Sequence, residues 1–193
     1  MTASHACQAV TAGAQADDLD PGPALDSGSL RKILGSFVTG VTVITALDAN
    51  GGRLGITVNS FSSVSLEPPL ISWSQSLTAP SYLHFKAADR FAVNILAADQ
   101  LDVSQRFAGR SGLKYDGLEH DTGIGGVPLI RGAVAHLECR MFAQYAGGDH
   151  AIFIGRIENA VQHKRSPLLF GLGRYLVASP HDSNSDCVTG TAP

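Results

Sequence analysis

Hydroxyl and amide side chains are densest in one stretch of the sequence, TVNSFSSVSLEPPL at residues 57–70. Asn59 and the serines that follow it cluster where a predicted strand becomes a loop. Small hydroxyls and exposed backbone N–H groups suit a neutral polar ligand, or a phosphate held without strong basic charge. A serine-rich turn of ordinary β structure has the same composition, so the residue chemistry alone leaves both interpretations open.

A second stretch, SQSLTAPSYLHF, indicates an anion site. Ser76, Thr78 and Ser81 precede or open a predicted helix, and a helix N-terminus favours negative charge. Downstream, SQRFAGRSG carries Arg106 and Arg110, whose planar guanidinium groups could hold a phosphate. Ordinary helix capping and solvated arginines are the alternatives.

A third stretch, GGDHAIFIG, places His150 directly before a very apolar strand. A histidine there could contact a substrate, donate a proton or cap the loop. No second histidine follows at the spacing of a zinc pair. The cysteines, Cys7, Cys139 and Cys187, are too scattered for a disulfide framework or a metal site. We therefore expect no metal, a core position for Cys139, and surface positions for His136 and His163.

Composition excludes several classes of protein. The chain has 193 residues, a net charge of −3 and only 16% charged residues. No broad basic field exists for nucleic acid, and no apolar run approaches the roughly 20 residues of a membrane span. The first residues lack the pattern of a signal peptide, so we expect a cytoplasmic protein. The low charge favours a surface partly covered by a second subunit.

The elements that must position these side chains are mostly strands. The predicted strands cover residues 41–47, 54–58, 70–74, 91–96, 136–142, 151–157 and 168–170, with a turn at Asn50-Gly51-Gly52. Helices are predicted at 80–86 and 98–108, and a glycine-rich loop at 109–132. Because helices do not separate the strands regularly, a mainly β fold with a few short helices, a closed or nearly closed antiparallel barrel, is favoured over a parallel sheet. No GxGxxG or phosphate loop is complete.

The domain is expected to begin with a short helix. Ser29 is the predicted N-cap, and Leu30, Ile33, Leu34 and Phe37 share one face. Residues 1–28 and 180–193 lack a sustained period and are predicted to be a flexible N-terminal arm and a flexible C-terminal tail. The predicted folded domain is therefore residues 29–179.

Six motifs in unbroken order resemble the flavin reductase family. They are LRKILGSFVTGVTVITA, GITVNSFSSVSLEPPL, FAVNILAADQ with SQRFA, LEC, GGDHAIFIGRI, and PLL with GRY. The resemblance implies an FMN-binding split β-barrel of antiparallel Greek-key type, usually a homodimer with cofactor sites near the subunit interface. It also implies hydride transfer from NADH or NADPH to FMN or FAD, with reduced flavin supplied to a partner flavin-dependent monooxygenase.

The same resemblance assigns binding residues but no catalytic side chain, because hydride transfer requires no obligatory side-chain acid. The flavin ring and ribityl chain are expected against Thr57, Val58, Asn59, Ser60, Ser63 and Val64, and the phosphate against Ser76, Thr78, Ala79, Ser81 and Arg110. The nicotinamide is expected at His150, Gly173 and Tyr175.

Two other functions share this fold. One is an oxidase that holds FMN tightly, and the other is a flavin-binding module without catalysis. The GDH and GRY motifs favour the reductase, because a carrier needs no nicotinamide site. The choice between FMN and FAD, between NADH and NADPH, and of the monooxygenase stays open.

Overall fold

The computed structural model describes residues 26–109 and 113–181. Its helices are α1 (Ser27–Leu34), α2 (Tyr82–Ala87) and α3 (Leu101–Ala108), with a 3-10 turn at Ile124–Gly126. Its strands are β1 (Thr39–Gly40), β2 (Thr42–Leu47), β3 (Arg53–Val58), β4 (Ser62–Leu66), β5 (Pro69–Ser76), β6 (Arg90–Ile95), β7 (His120–Thr122), β8 (Pro128–Ile130), β9 (Ala135–Gly147), β10 (His150–Gln162), β11 (Leu168–Gly171) and β12 (Arg174–Val177).

One large antiparallel sheet dominates the molecule, with the strand order β3-β2-β6-β9-β10-β5-β4. Its two ends approach each other, because the segment after β3 is tied to β5. Ser60 Oγ donates to the carbonyl of Ser74 at 3.0 Å and accepts from the Ser74 N–H at 2.9 Å. The remaining strands form the small sheets β1-β11-β12 and β7-β8. This curled antiparallel arrangement is the mainly β architecture that the sequence predicts.

Aromatic side chains fill the centre of the curled sheet. Trp73 stacks on Phe153 with a centroid distance of 4.4 Å and meets Phe85 and Phe91 edge-on at 5.3 and 5.8 Å. All four rings are fully buried, and burying a side chain of this size contributes roughly 1.5–3 kcal/mol. Cys139 belongs to the same core, as predicted, and burial raises the pKa of its thiol to about 12.

The predicted turn at Asn50-Gly51-Gly52 is confirmed and has a clear cause. The carboxylate of Asp48 accepts hydrogen bonds from the backbone N–H groups of Asn50 and Gly52 at 2.8 and 2.7 Å. Gly51 has a φ of 78°, in the left-handed region that glycine adopts without steric cost. The turn fixes the register of β2 against β3.

Three strands occur where the sequence predicts loops. The strand β4 lies in the serine-rich stretch, and β7 and β8 lie inside the predicted glycine-rich loop. None of the three has a strict apolar alternation, so their pairing partners rather than their own pattern determine them. His136 also differs from expectation, because it is buried with its Nε2 atom 2.8 Å from the carbonyl of Ile130.

The first helix differs from its prediction at its N-terminus. Its N-cap is Asp26, whose carboxylate accepts from the N–H of Ser29 at 2.8 Å. The predicted apolar face is exposed in the single chain, with Ile33 69% and Phe37 78% accessible. The predicted N-terminal arm, residues 1–28, and the predicted C-terminal tail, residues 180–193, lie largely outside the described residues. No helix in the described part is long and apolar enough to cross a membrane.

Candidate functional site

Two cavities lie end to end along β3. The large cavity has a volume of about 470 Å³ and is lined by residues 53–56, by parts of the segment 76–84, by the end of α3 and by Lys114. The small cavity has a volume of about 170 Å³, and its lining residues are Val41, Thr57, Val58, Asn59, Ser104, Phe170 and Tyr175. The strand β3 and the helix α3 contribute residues to both cavities.

Hydroxyl groups line one wall of the large cavity, where the sequence predicts a phosphate. Ser76, Thr78, Ala79 and Ser81 all line it. The hydroxyls of Ser76 and Thr78 are 3.0 Å apart, and the Thr78 N–H donates to Ser76 Oγ at 3.3 Å. Each hydroxyl can donate one hydrogen bond, so the wall can serve a ligand group that accepts hydrogen bonds.

Two cations that sequence reasoning missed stand in the same cavity. Arg53 lies 2.9 Å from His120 Nε2 and over the ring of Tyr115. Lys114 Nζ donates to the carbonyls of Gly55 and Phe107 at 3.0 Å, and burial lowers the pKa of this amine. No described lining residue carries a carboxylate. The two positive charges come from segments that are far apart in the chain, so no local sequence motif predicts that they share a cavity.

The predicted phosphate-binding arginine is not among the cations seen. Arg110 lies outside the described residues, so its role stays a prediction. Arg106, the other arginine considered, donates to the carbonyl of Asp116 at 2.8 Å and lines neither cavity. Lys114 therefore supplies a half-buried positive charge where the sequence suggested a guanidinium.

Close contact between β3 and α3 builds the wall that the two cavities share. A Cβ atom on Gly55 would stand 2.1 Å from the ring of Phe107, which no real packing tolerates. Next to it, the Tyr115 hydroxyl donates to the carbonyl of Leu54 at 2.6 Å. Glycine at position 55 therefore allows the helix to pack directly on the strand.

The small cavity is uncharged and mostly apolar, with a few polar groups in its wall. Thr57 Oγ1 donates to the carbonyl of Ser104 at 2.7 Å, and Ser104 Oγ lies 3.0 Å from the Tyr175 hydroxyl. The rings of Phe170 and Tyr175 meet edge-on at 5.2 Å. None of its described lining residues is an acid, a lysine or an arginine. Such a cavity suits a flat, neutral heteroaromatic ring.

Three of the predicted ring-binding residues line neither cavity in the single chain. Ser60 uses its hydroxyl on Ser74. Ser63 and Val64 lie on β4, at an edge of the large sheet, where the pairing with β5 is interrupted by a register shift. That irregularity reorients the local side chains, and Val64 is exposed. The structure therefore brings together Thr57, Val58 and Asn59 but not the second half of the predicted set.

The predicted nicotinamide residues lie on two different sheets. His150 begins β10 opposite Ser76, and its Nδ1 atom is 2.7 Å from Asp149 Oδ1. This contact with His150 holds the pKa of the Asp149 carboxyl below its usual value. Gly173 lies in the turn between β11 and β12 with a φ of 73°, and Tyr175 lines the small cavity. His150 lines neither cavity, so one chain does not assemble the three residues into one pocket.

Metal chemistry has no cluster to support it in the described ranges. Residues 26–109 and 113–181 contain no group of three or more histidine, cysteine or acidic residues arranged to hold a metal ion.

Known proteins resemble this chain over most of its length. Residues 34–179 match the family described as flavin reductase like domain. The FMN reductase (NADH) SmoA of Agrobacterium fabrum is 43% identical over 150 residues, covering 78% of this chain and 85% of that protein. HsaB of Rhodococcus jostii, the reductase subunit of a flavin-dependent monooxygenase, is 35% identical over 158 residues, covering 81% and 80%.

A solved structure extends the likeness to the fold. The NADH:FAD oxidoreductase SgcE6 of Streptomyces globisporus, in complex with NAD and FAD fragments, superposes with a TM-score of 0.77. It is 40% identical, and the match covers 81% of this chain and 95% of that one. The split-barrel fold and the oxidoreductase class predicted from the motifs are confirmed. The chain belongs to the flavin reductase family.

Proposed function

We propose that the protein transfers a hydride from NADH or NADPH to free FMN or FAD and releases the reduced flavin to a partner monooxygenase. The observation that carries this proposal is the pair of cavities along β3. One is small and uncharged, and the other is large, rich in hydroxyls and positively charged. A flavin has the matching halves, a flat ring system and a phosphate-bearing tail.

The residues present fit that ligand. The ring would lie against Thr57, Val58 and Asn59, where backbone groups can bond the ring carbonyls and stabilise the charge of the reduced form. The phosphate would accept from the hydroxyls of Ser76 and Thr78, with Lys114 and Arg53 supplying positive charge. The flavin supplies the redox chemistry, and the chain binds and orients it.

Hydroxyl-dominated recognition is consistent with flavin as an exchanging substrate. Micromolar binding corresponds to about −8 kcal/mol and allows release on a useful timescale. The cations of the large cavity are already engaged, since Lys114 bonds two carbonyls and Arg53 lies against His120 and Tyr115. A tightly held flavin, as in the oxidase alternative, would be better served by unengaged arginines.

The nicotinamide is proposed to bind beside the flavin ring, with His150 as a binding and orienting residue. Asp149 holds His150 Nδ1, which leaves Nε2 to face a ligand. Gly173 and Tyr175 would contact the same ligand from the β11–β12 side. Because these residues lie apart in one chain, the site is proposed to be completed between two subunits.

A second copy of this chain is the proposed occupant of the exposed face of α1. Leu30, Ile33, Leu34 and Phe37 are exposed there. The end of the helix adjoins Leu172, another exposed apolar residue, whose N–H donates to the carbonyl of Gly35 at 2.6 Å. A contiguous exposed apolar surface is typical of an interface.

Sedimentation analysis tests this interface. We expect a dimer for the wild type and a monomer for Ile33→Glu, because a carboxylate cannot be buried unpaired in an apolar contact. Lys32→Glu, an exposed change on the same helix, is the control and should leave the dimer intact. A wild-type monomer at micromolar concentration, or an Ile33→Glu dimer as stable as the wild type, would contradict the homodimer.

A monooxygenase partner is supported by the likeness to HsaB, whose name describes a reductase subunit of such an enzyme. The reduced flavin is a small diffusible product, so the proposal requires only that the two enzymes share a compartment. Cytoplasmic location stays a prediction.

The test of the function is NADH and NADPH consumption with no added flavin, with FMN and with FAD. We expect turnover only when free flavin is present. His150→Ala should raise the KM for the nicotinamide about tenfold and the KM for flavin less than twofold. Absence of turnover with either nicotinamide and either flavin would overturn the proposal, and equal damage to both constants would contradict the role of His150.

A further inference from the structure

Gln75 is a polar side chain at a position where β5 buries apolar ones. Ile71, Trp73 and Gln75 alternate on the buried face of the strand, and Gln75 is only 2% exposed. Burying an amide without full hydrogen bonding costs free energy. Its presence therefore requires a reason that core packing does not provide.

The amide makes a single side-chain contact, and that contact reaches the large cavity. Gln75 Nε2 donates to Ser81 Oγ at 2.8 Å, while Gln75 Oε1 is buried and has no hydrogen-bond partner in the described part of the chain. Gln100 is a useful contrast, because its Oε1 accepts from the N–H of Ala97 and its Nε2 donates to the carbonyl of Arg131. Gln100 therefore bridges two backbone groups, whereas the Gln75 side chain bonds one side-chain hydroxyl.

Among the described residues, that hydroxyl makes no other side-chain hydrogen bond. Ser81 stands at the N-cap of α2 but makes no side-chain capping bond. It lines the large cavity beside Thr78 and Ala79. Because Ser81 Oγ accepts from Gln75, its own proton is free to be donated into the cavity. Hydrogen bonds in such a chain polarise one another, so the hydroxyl becomes a better donor.

We infer that Gln75 is a positioning residue that orients the Ser81 hydroxyl toward the phosphate of the flavin and makes the site selective for phosphorylated flavins. This inference rests on the proposed function, because it takes the occupant of the large cavity to be the flavin tail. A phosphate only accepts hydrogen bonds at neutral pH, so a hydroxyl locked as a donor favours it. The unphosphorylated ring gains nothing from the same bond.

Equilibrium titration of the protein with FMN and with riboflavin, read by flavin fluorescence without any nicotinamide, tests the inference. Riboflavin has the ring and ribityl chain of FMN but no phosphate. We expect Gln75→Leu to weaken FMN binding about threefold to tenfold, the range of one hydrogen bond. Riboflavin binding should change less than twofold.

A double-mutant cycle shows whether Gln75 acts through Ser81. Ser81→Ala should lower the preference for FMN over riboflavin at least as much as Gln75→Leu does. In the Ser81→Ala background, Gln75→Leu should add no further loss of preference. An additive effect would overturn the positioning role.

Two further variants keep the test independent of folding. Gln100→Leu makes the same change at another buried glutamine that lines neither cavity, and it should leave the FMN preference intact even if the protein is less stable. Gln75→Glu keeps the shape but adds a carboxyl that repels phosphate when ionised, so FMN should lose affinity more than riboflavin. If Gln75→Leu does not fold, the inference depends on this variant, and equal loss of both flavins would overturn it.

The outcomes separate the inference from the proposed function. If the wild type binds both flavins but the Gln75 variants leave their ratio unchanged, the inference fails and the reductase stands. If the wild type binds neither flavin, the proposed function fails and the inference fails with it.

Discussion

The two cavities share a strand and a helix but differ in charge. The large cavity has Arg53 and Lys114 in its wall with three hydroxyls, whereas the described lining of the small cavity has only neutral polar, aliphatic and aromatic groups. Residues 53–56 of β3 line the first, and Thr57 to Asn59 line the second. Neighbouring residues of β3, Ile56 and Thr57, therefore line a charged cavity and an uncharged cavity respectively.

This difference shows how a small domain can recognise a ligand with two unlike halves. The continuous elements β3 and α3 set the spacing between the halves. Separate segments then supply the chemistry of each end, the loop before α2 and Lys114 for one, and the β11–β12 sheet for the other. Mutations should therefore either damage both cavities together or change the preference between phosphorylated and unphosphorylated flavins.

The largest expected effect comes from filling the contact that both cavities share. Gly55→Val would place atoms inside the ring of Phe107, whose nearest atom is 2.1 Å from a Cβ at position 55. Overpacking of this kind costs about 1–3 kcal/mol, and displacing α3 should reduce FMN and riboflavin binding alike by more than tenfold. Urea unfolding and flavin titration measure the two effects.

Gly40→Ala is the matched control for that variant. A Cβ at Gly40 meets no atom within 4 Å, so we expect wild-type stability and binding. Binding of riboflavin at wild-type strength by Gly55→Val would show that the shared wall does not position the small cavity.

Removal of the half-buried Lys114 amine should weaken binding in the large cavity and leave the small cavity unaffected. Lys114→Met keeps the length of the side chain but removes its charge, and charge-assisted hydrogen bonds are worth about 1.5–3 kcal/mol. We expect FMN affinity to fall about tenfold or more and riboflavin affinity to change less than threefold. Lys164→Met, an exposed change in the connection before β11, is the control. If Lys114→Met lost the same affinity for both flavins, the amine would stabilise the fold rather than bind the phosphate.

The pKa of the Lys114 amine predicts how the preference for FMN over riboflavin depends on pH. Burial lowers the pKa of Lys114 below its ordinary value of 10.5, so the folded protein loses this charge at a lower pH than a solvated lysine would. The charged amine therefore opposes folding slightly and favours phosphate binding. We expect the ratio of FMN to riboflavin affinity to fall as the pH rises through the alkaline range below 10.5.

Riboflavin carries the same ring, so ionisation of the ring cancels in the ratio. The Lys114→Met variant should show a flat ratio over that range. A wild-type ratio that is also flat would mean that Lys114 does not contact the phosphate.

The smallest expected effect lies in the small cavity. Tyr175→Phe keeps the ring and removes a hydroxyl that lies 3.0 Å from Ser104 Oγ. One neutral hydrogen bond contributes about 0.5–1.5 kcal/mol, so both flavins should weaken by about threefold or less with their ratio unchanged. Tyr145→Phe, at an exposed tyrosine, serves as the control. A loss of affinity for FMN but not for riboflavin would contradict the proposal that this cavity binds the uncharged ring.

Much of the fold was readable because its signals are local. Strands β2, β6 and β10 have runs of β-branched and apolar residues, and the turn between β2 and β3 has Asp48 and Gly51 at the positions that fix its backbone. The strand β4 was not readable, because its serines show no alternation and its pairing with β5 alone makes it a strand. The exposure of the apolar face of α1 in the single chain was not readable either, because an apolar stripe does not say what the helix packs against.

The candidate site likewise has one part that could be predicted from the sequence and one part that could not. The phosphate loop at residues 76–81 could be predicted, because its hydroxyls are adjacent in the sequence. Arg53 and Lys114 could not be predicted, since they are 61 positions apart by number and meet only when α3 packs on β3. The role proposed for Gln75 was hidden as well, because it depends on one bond to Ser81 and on a side-chain carbonyl without a partner among the residues that the structure describes.

By itself, the sequence determined the family, the mainly β architecture and the hydroxyl-rich segments that could meet a phosphate. These follow from residue types at short spacing, which the backbone translates directly into strands, turns and caps. Only the tertiary structure decided which charges enter which cavity, how Gly55 allows β3 and α3 to build a shared wall, and that His150 and Tyr175 lie on separate sheets. Such facts depend on contacts between segments distant in the chain, and close packing rather than local propensity sets those contacts.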